Sequence, residues 1–198
     1  MELNTLQALY VERLRDLYSA EQQIVKALPK MMQVSTNEDL RSAFEAHLEE
    51  TKEQITRLEE ICDDLGVSPK GKKCKGMEGL LAEGTELIEE DPEEEILDAG
   101  LIASAQAVEH YEMAGYGTAR AYAELLGFEN HVELLQATLD EEAAADEKLN
   151  DLALSTVNLD ALMLDQEVDL EDGDETAPPP RNVGGSRKRS NTERDAEA

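Results

Sequence analysis

Tryptophan is absent from this 198-residue chain, and phenylalanine occurs only twice. Glu, Ala and Leu dominate instead, a helix-former's composition that leaves little aromatic or β-branched material for a sheet. Cysteine is nearly absent too. Cys62 and Cys74 are the only two, too few for a disulfide framework or an iron–sulfur set. Cys62 falls on an apolar helical stripe and reads as a small buried residue, whereas Cys74 falls in a Gly- and Lys-rich loop and reads as an exposed thiol. No signal-peptide pattern opens the chain, and no apolar run approaches the roughly 20 residues of a membrane span. A soluble, cytoplasmic protein with no membrane partner is expected.

Positive charge is scarce. Eighteen Lys and Arg stand against 46 Asp and Glu, a formal net charge of −28, and most of the excess lies before residue 160. Such a surface repels nucleic acid and anionic membranes, so no nucleic-acid partner is expected. Dense carboxylates also keep a protein hydrated in a salt-rich cytoplasm, a setting this composition would suit.

Four long segments carry apolar residues at helical spacing. The first, about 5–33, stripes Tyr10, Leu14, Leu17, Glu21, Ile24 and Leu28, and Pro29 is expected to kink or end its last turn. The second starts at the N-cap Asn37, with Glu38 and Asp39 in its first turn, and stripes Leu40, Phe44, His47, Thr51, Ile55, Leu58 and Cys62 before Gly66 and Pro69 close it. A short amphipathic piece at about 77–90 precedes the third segment, about 93–126, which stripes Ile102, Ala105, Glu109, Glu112, Tyr116, Ala119 and Ala123 up to Gly127. The fourth, about 130–154, stripes Leu135, Leu139, Glu142, Asp146, Leu149 and Leu152. Two tightly turned helix pairs joined by a longer connection with a short helix describe an all-α, ferritin-like antiparallel four-helix bundle. The bundle is expected over residues 1–158. An acidic, polar, disordered tail is expected over 159–198, where the periodicity dissolves.

Acids interrupt three of the four stripes: Glu21 on the first, Glu109 and Glu112 on the third, Glu142 and Asp146 on the fourth. Each has apolar residues one turn above and below. Counted from the interhelical turns, Glu21 lies level with about 48–51, and Glu109 and Glu112 with about 144–147, so the five acids can gather in one layer. Isolated buried carboxylates cost several kcal/mol each, and their mutual repulsion adds to it. No Lys or Arg sits on a stripe to offset them, so protons or metal cations must. On the second segment His47 lies on the stripe, with Glu50 on its flank and Gln54 beside both. A di-iron or di-manganese bundle usually takes one Glu from each of two helices and Glu-x-x-His from the other two. Here the second helix reads His47-x-x-Glu50, in reverse order, and the fourth offers Glu142-x-x-x-Asp146 with no His, which makes the site rich in oxygen ligands. His110 and His131 fall off their stripes and read as surface residues, and Glu53 and Glu141 as solvated charge. Tyr116 reads as core packing with a hydrogen-bonded hydroxyl.

The runs LYSAE at 17–21, HLEET at 47–51, VEHYE at 108–112 followed by YGT at 116–118, and TLDEE at 138–142 closely resemble the ferritin-like YciE/YciF family of stress-associated proteins, over about residues 1–158. The resemblance implies a homodimer with a dinuclear site related to that of rubrerythrins and manganese catalases. Carried across, it makes Glu21, Glu109, Glu112 and Glu142 ligands, followed by His47, Glu50 and Asp146, around two iron or manganese ions per chain. The function expected is a stress-associated protein reacting with peroxide or dioxygen. No Cys-x-x-Cys electron-transfer module is present, so a reductive cycle would draw on an external electron donor, whereas a catalase-like cycle would need none. Metal storage, or a non-catalytic interaction protein with a vestigial site, are the alternatives.

Overall fold

Thr5 accepts a hydrogen bond from the Ala8 amide (3.1 Å) and so caps the start of α1, Leu6–Val34. These coordinates are a computed structural model that describes residues 3–171. Asn37 caps α2, Glu38–Asp64, as its position in the sequence predicts, accepting from the amides of Asp39 and Leu40 (3.0 Å each). The short α3, Lys75–Glu89, leads through a turn to α4, Glu94–Leu126. Gly127 ends α4 in the left-handed region at φ 78°, where a side chain would be strained. Then follow α5, Glu129–Leu152, a π-helical turn at Ala153–Val157, and α6, Asn158–Glu171.

The architecture is the expected one. The hairpins α1/α2 and α4/α5 pack side by side, α1 on α4 and α2 on α5, and α3 lies in the crossover against α4 and α1. Pro29 lies inside α1, which runs on to Val34, near the expected end of the segment; the residue is exposed, so the Val25 carbonyl that loses an amide partner lies toward water. Two local expectations give way. Cys74 is buried rather than exposed: it is the N-cap of α3, and its thiol lies 2.9 Å from the Tyr111 hydroxyl. Helix continues past residue 159 as α6, which packs against α4 and buries Ala161. The rest of the expected disordered tail, 172–198, lies outside the described residues.

The core is divided in two. One apolar cluster gathers Ile24, Leu28, Leu40, Phe44, Leu101, Ile102 and Leu149. The other gathers Tyr10, Leu14, Leu17, Leu58, Ile61, Tyr116 and Leu135. On every helix of the bundle the acids, His47, Thr51, Gln54 or Thr138 sit between the stretches that feed the two clusters. The interrupted stripes therefore become a single polar layer across the bundle. At Gly115 a Cβ would stand 2.7 Å from the Leu17 side chain, so α4 approaches α1 closely beside that layer.

Candidate metal centre

Each helix of the bundle contributes to the layer. His47 from α2, Glu109 and Glu112 from α4, and Glu142 from α5 each place one donor atom within 4.8 Å of the others. The i, i+3 spacing of Glu109 and Glu112 puts both on one face of α4. Glu21 of α1 completes the ring. It is wholly buried, and its Oε1 accepts a hydrogen bond from the Tyr116 hydroxyl. That hydroxyl fulfils the hydrogen-bonded core role expected of Tyr116.

The geometry separates the other two sequence-predicted positions from this group. Glu50 lies on the rim, with its Oε2 3.7 Å from His47 Nδ1 and its side chain 47% exposed. Asp146 turns outward, where its carboxylate accepts from Gln106 Nε2 at 3.0 Å and lies 3.5 Å from His110 Nε2. Its short side chain, one turn beyond Glu142, ends at the edge of the α4/α5 seam. Its charge helps to raise Glu109.

As carboxylates, the ring is starved of donors. Six oxygens of Glu21, Glu109, Glu112 and Glu142 lack a hydrogen-bond partner, and neither nitrogen of His47 has one. His47 Nε2 stands 3.4 Å from Glu109 Oε1, near but not bonded. No lysine or arginine is buried among the described residues.

The acidities show the same stress. Burial, and then the charge of Glu142, push Glu21 up to about 8 against the pull of the Tyr116 hydroxyl and His47. Burial pushes Glu109 up to about 7, against its contact with Glu142. Glu112 and Glu142 are driven well above the carboxylate range, by burial first and then by neighbouring carboxylates. Burial disfavours a charged His47, but Glu50, Glu142 and Glu21 together outweigh it and raise its pKa. At neutral pH the ring must hold protons or cations. The fit to metal is chemical: converging carboxylate oxygens with one imidazole, six of those oxygens without a protein donor and no buried base among the described residues, could hold a metal ion.

Several supporting residues were invisible in the stripes or misread. Glu141, read as solvated charge, is gripped by Arg57 through two bonds of 2.6 and 2.7 Å and accepts from Gln54 at 3.2 Å. Arg57 also donates to Thr138 at 3.2 Å, so the cluster ties α2 to α5 one residue from Glu142. His131, read as a surface residue, is 1% exposed. Its Nε2 lies 2.9 Å from Asp64 and its Nδ1 3.3 Å from the Tyr10 hydroxyl, and its ring packs on Phe128. The signal was present, since 131 precedes Leu135 on the stripe by one turn. His110 is exposed, as read, and Glu53 is too. A double-mutant cycle of Arg57→Ala and Glu141→Ala is expected to give a coupling energy of about 1–2 kcal/mol in urea unfolding, because the pair is bidentate and partly buried. A coupling near zero would make the pair incidental.

The fold and this ring define a class: ferritin-like helical bundles with a buried carboxylate–histidine centre. The chain belongs to the family described as a domain of unknown function, DUF892, whose model matches residues 5–162. It is 46% identical to protein YciF of Escherichia coli (strain K12) over 159 residues, 80% of this chain and 96% of YciF. The crystal structure of that E. coli stress protein superposes with a TM-score of 0.76 at 46% identity, covering 79% of this chain and 99% of YciF. YcfI from Rhodopseudomonas palustris matches at a TM-score of 0.73 and 48% identity, over 75% of this chain and 95% of its own. A protein from Xanthomonas campestris shares the fold at 18% identity, with a TM-score of 0.64, over 83% of this chain and 99% of its own. No helix among the described residues is long and apolar enough to cross a membrane.

Proposed function

We propose that this protein is a cytoplasmic, stress-associated dinuclear metal carboxylate protein that reacts with peroxide or dioxygen. The observation that carries the reading is the ring of buried, donorless oxygens around His47. His47, Glu109, Glu112 and Glu142 would hold the ions, with Glu21 beside them and Glu50 reaching in from the rim. When bound, an iron or manganese pair supplies the electrons for chemistry at an O–O bond.

The remaining work falls to this chain's own side chains. Tyr116, held protonated by burial and by the charge of Glu21, keeps its hydroxyl as a donor that fixes one oxygen of Glu21. Neither oxygen of Glu112 is held by a protein donor, so that carboxylate is free to change the way it binds. The two apolar clusters shield the ring from bulk water above and below. On α6, Leu159, Leu162 and Met163 are all exposed, an apolar face that suits the contact of a homodimer. A reductive cycle takes its electrons from an external donor.

The test is metal content. Protein purified without chelator or affinity metal, then reconstituted anaerobically, is expected to hold about two iron or manganese ions per chain by elemental mass spectrometry. The Glu109→Ala/Glu142→Ala variant is expected to lose them while keeping its helical circular dichroism. Absence of stoichiometric metal after reconstitution would sink the redox reading and leave a non-catalytic interaction protein.

A further inference from the structure

A cavity of about 720 Å3 opens on the bundle, lined by residues of α1 to α5. Its walls are largely apolar, built from Ile24, Leu28, Phe44, Leu101, Val108 and Leu149. The volume lies within the range of about 300–1,000 Å3 usual for small-molecule sites. His47 and Glu109 also line it, so the cavity reaches the carboxylate ring.

Its charged residues depart from the rest of the chain. Four lysines and four acids line it, in a protein where acids outnumber bases 46 to 18. Two of those acids are already spoken for: Glu141 by the Arg57 guanidinium, and Glu109 by the ring. Lys26, Lys30 and Lys148 are exposed where they line the cavity. None of the three makes a hydrogen bond or ion pair, although Lys148 acts through its charge on Glu50, another residue of the lining. Cations beside an apolar space offer a site for a molecule with the complementary pattern.

We propose that the cavity binds a long-chain monocarboxylate, with its hydrocarbon chain along the apolar wall and its carboxylate paired with an exposed lysine of the lining, Lys26 or Lys30 on α1 or Lys148 on α5. Burial of methylene groups drives binding, at about 0.8 kcal/mol each, and the lysines select the sign of the head group. A chain held there lies against His47 and Glu109, at the edge of the ring. The binding does not rest on the metal reading above.

The test is a fluorescence titration of the full chain, metal-free and metal-loaded, with cis-parinaric acid, a fluorescent long-chain carboxylate, displaced by palmitate. Saturable micromolar binding of about one probe per chain is expected in both forms, with hexadecyltrimethylammonium at least about tenfold weaker as a competitor. The surface variant Lys26→Glu/Lys30→Glu/Lys148→Glu is expected to weaken binding at least about tenfold with its thermal midpoint nearly unchanged. Filling the cavity by Ala105→Phe is expected to abolish binding. The proposal is overturned by the absence of saturable binding, by a cationic competitor as strong as palmitate, or by lysine variants that bind normally. It is equally overturned if anionic phospholipid vesicles compete better than palmitate, or if light scattering shows that Ala105→Phe splits a dimer and leaves probe binding intact. Probe binding without metal uptake would sink the metal centre alone, and metal uptake without probe binding would sink this proposal alone.

Discussion

Stripped of metal, the protein is expected to lose thermal stability steadily as pH rises from about 5.5 to 8, by roughly 10 °C or more. The cause is the carboxylate ring. Glu21 is raised to about 8 and Glu109 to about 7, and Glu112 and Glu142 are raised well above their ordinary value. In the unfolded chain all four titrate near about 4.3. Between those values the folded state binds more protons than the unfolded one. The stability that protonation contributes is therefore full below the unfolded pKa and is lost as pH rises through 7 and 8. His47, also raised, acts in the same direction. Glu50 is lowered, which works the other way, but only below its ordinary value and so outside this window.

Metal is expected to reverse the trend. On the proposed metal reading a divalent cation would bind the deprotonated ring, so added Mn2+ or Fe2+ is expected to raise the midpoint little at pH 5.5 and most at pH 8. Surface repulsion from the net charge of −28 also grows with pH, but it is screened in 1 M salt, where the Debye length is about 3 Å. The slope from the buried ring should survive that salt. Glu109→Gln/Glu112→Gln, which replaces two of the titrating groups by neutral isosteres, should flatten the slope and remove the response to metal. Differential scanning calorimetry across pH, with and without metal, decides the matter. A midpoint that rises with pH in high salt would mean that the ring does not bear its charges as described.

The second large effect is expected far from the ring, at Asp98. This residue of α4 is 3% exposed and faces the turn between α1 and α2. Its carboxylate accepts from the Ser35 hydroxyl (3.0 Å), the Thr36 amide (3.1 Å) and hydroxyl (2.7 Å), and the Asn37 amide (2.7 Å). One side chain thus satisfies the backbone that leaves α1 and enters α2, and ties that hairpin to the other. Asp98→Ala leaves these donors in a buried place without an acceptor. A loss of about 3 kcal/mol in urea unfolding is expected, with a midpoint lower by roughly 10 °C. Metal stoichiometry should not change, because Asp98 is three turns from Glu109 along α4. A loss below about 0.5 kcal/mol would show that water replaces the carboxylate without cost.

What was legible in the sequence, and what was not, can be traced residue by residue. Asn37 and Gly127 mark their helix ends because capping and a left-handed φ are local demands, met by the residue itself. Glu21, Glu109, Glu112 and Glu142 stood out because an acid among leucines at helical spacing violates a one-dimensional pattern. Glu141 broke no such pattern, and Asp98 did, one turn before Ile102, but at the very start of the stripe, where it was passed over. Their importance comes from Arg57 and from residues 35–37, partners 61 to 84 positions away in the chain. Cys74 departs from its sequence reading for a related reason, since whether a thiol is covered depends on what packs against it.

By itself, the sequence determined the class of fold, the four long helices and the level at which acids interrupt their apolar stripes. Each of these follows from periodicity, composition and the high cost of burying a carboxylate, all of which are properties of local chain order. Only the tertiary structure decided which acids meet. Asp146 and Glu142 share a stripe, yet one turns out to Gln106 and the other turns in to the ring. A helical period locates a residue to within a face about 100° wide, while a ligand sphere discriminates on the scale of an ångström, and that difference is set by how closely the helices approach one another, as Gly115 allows at Leu17.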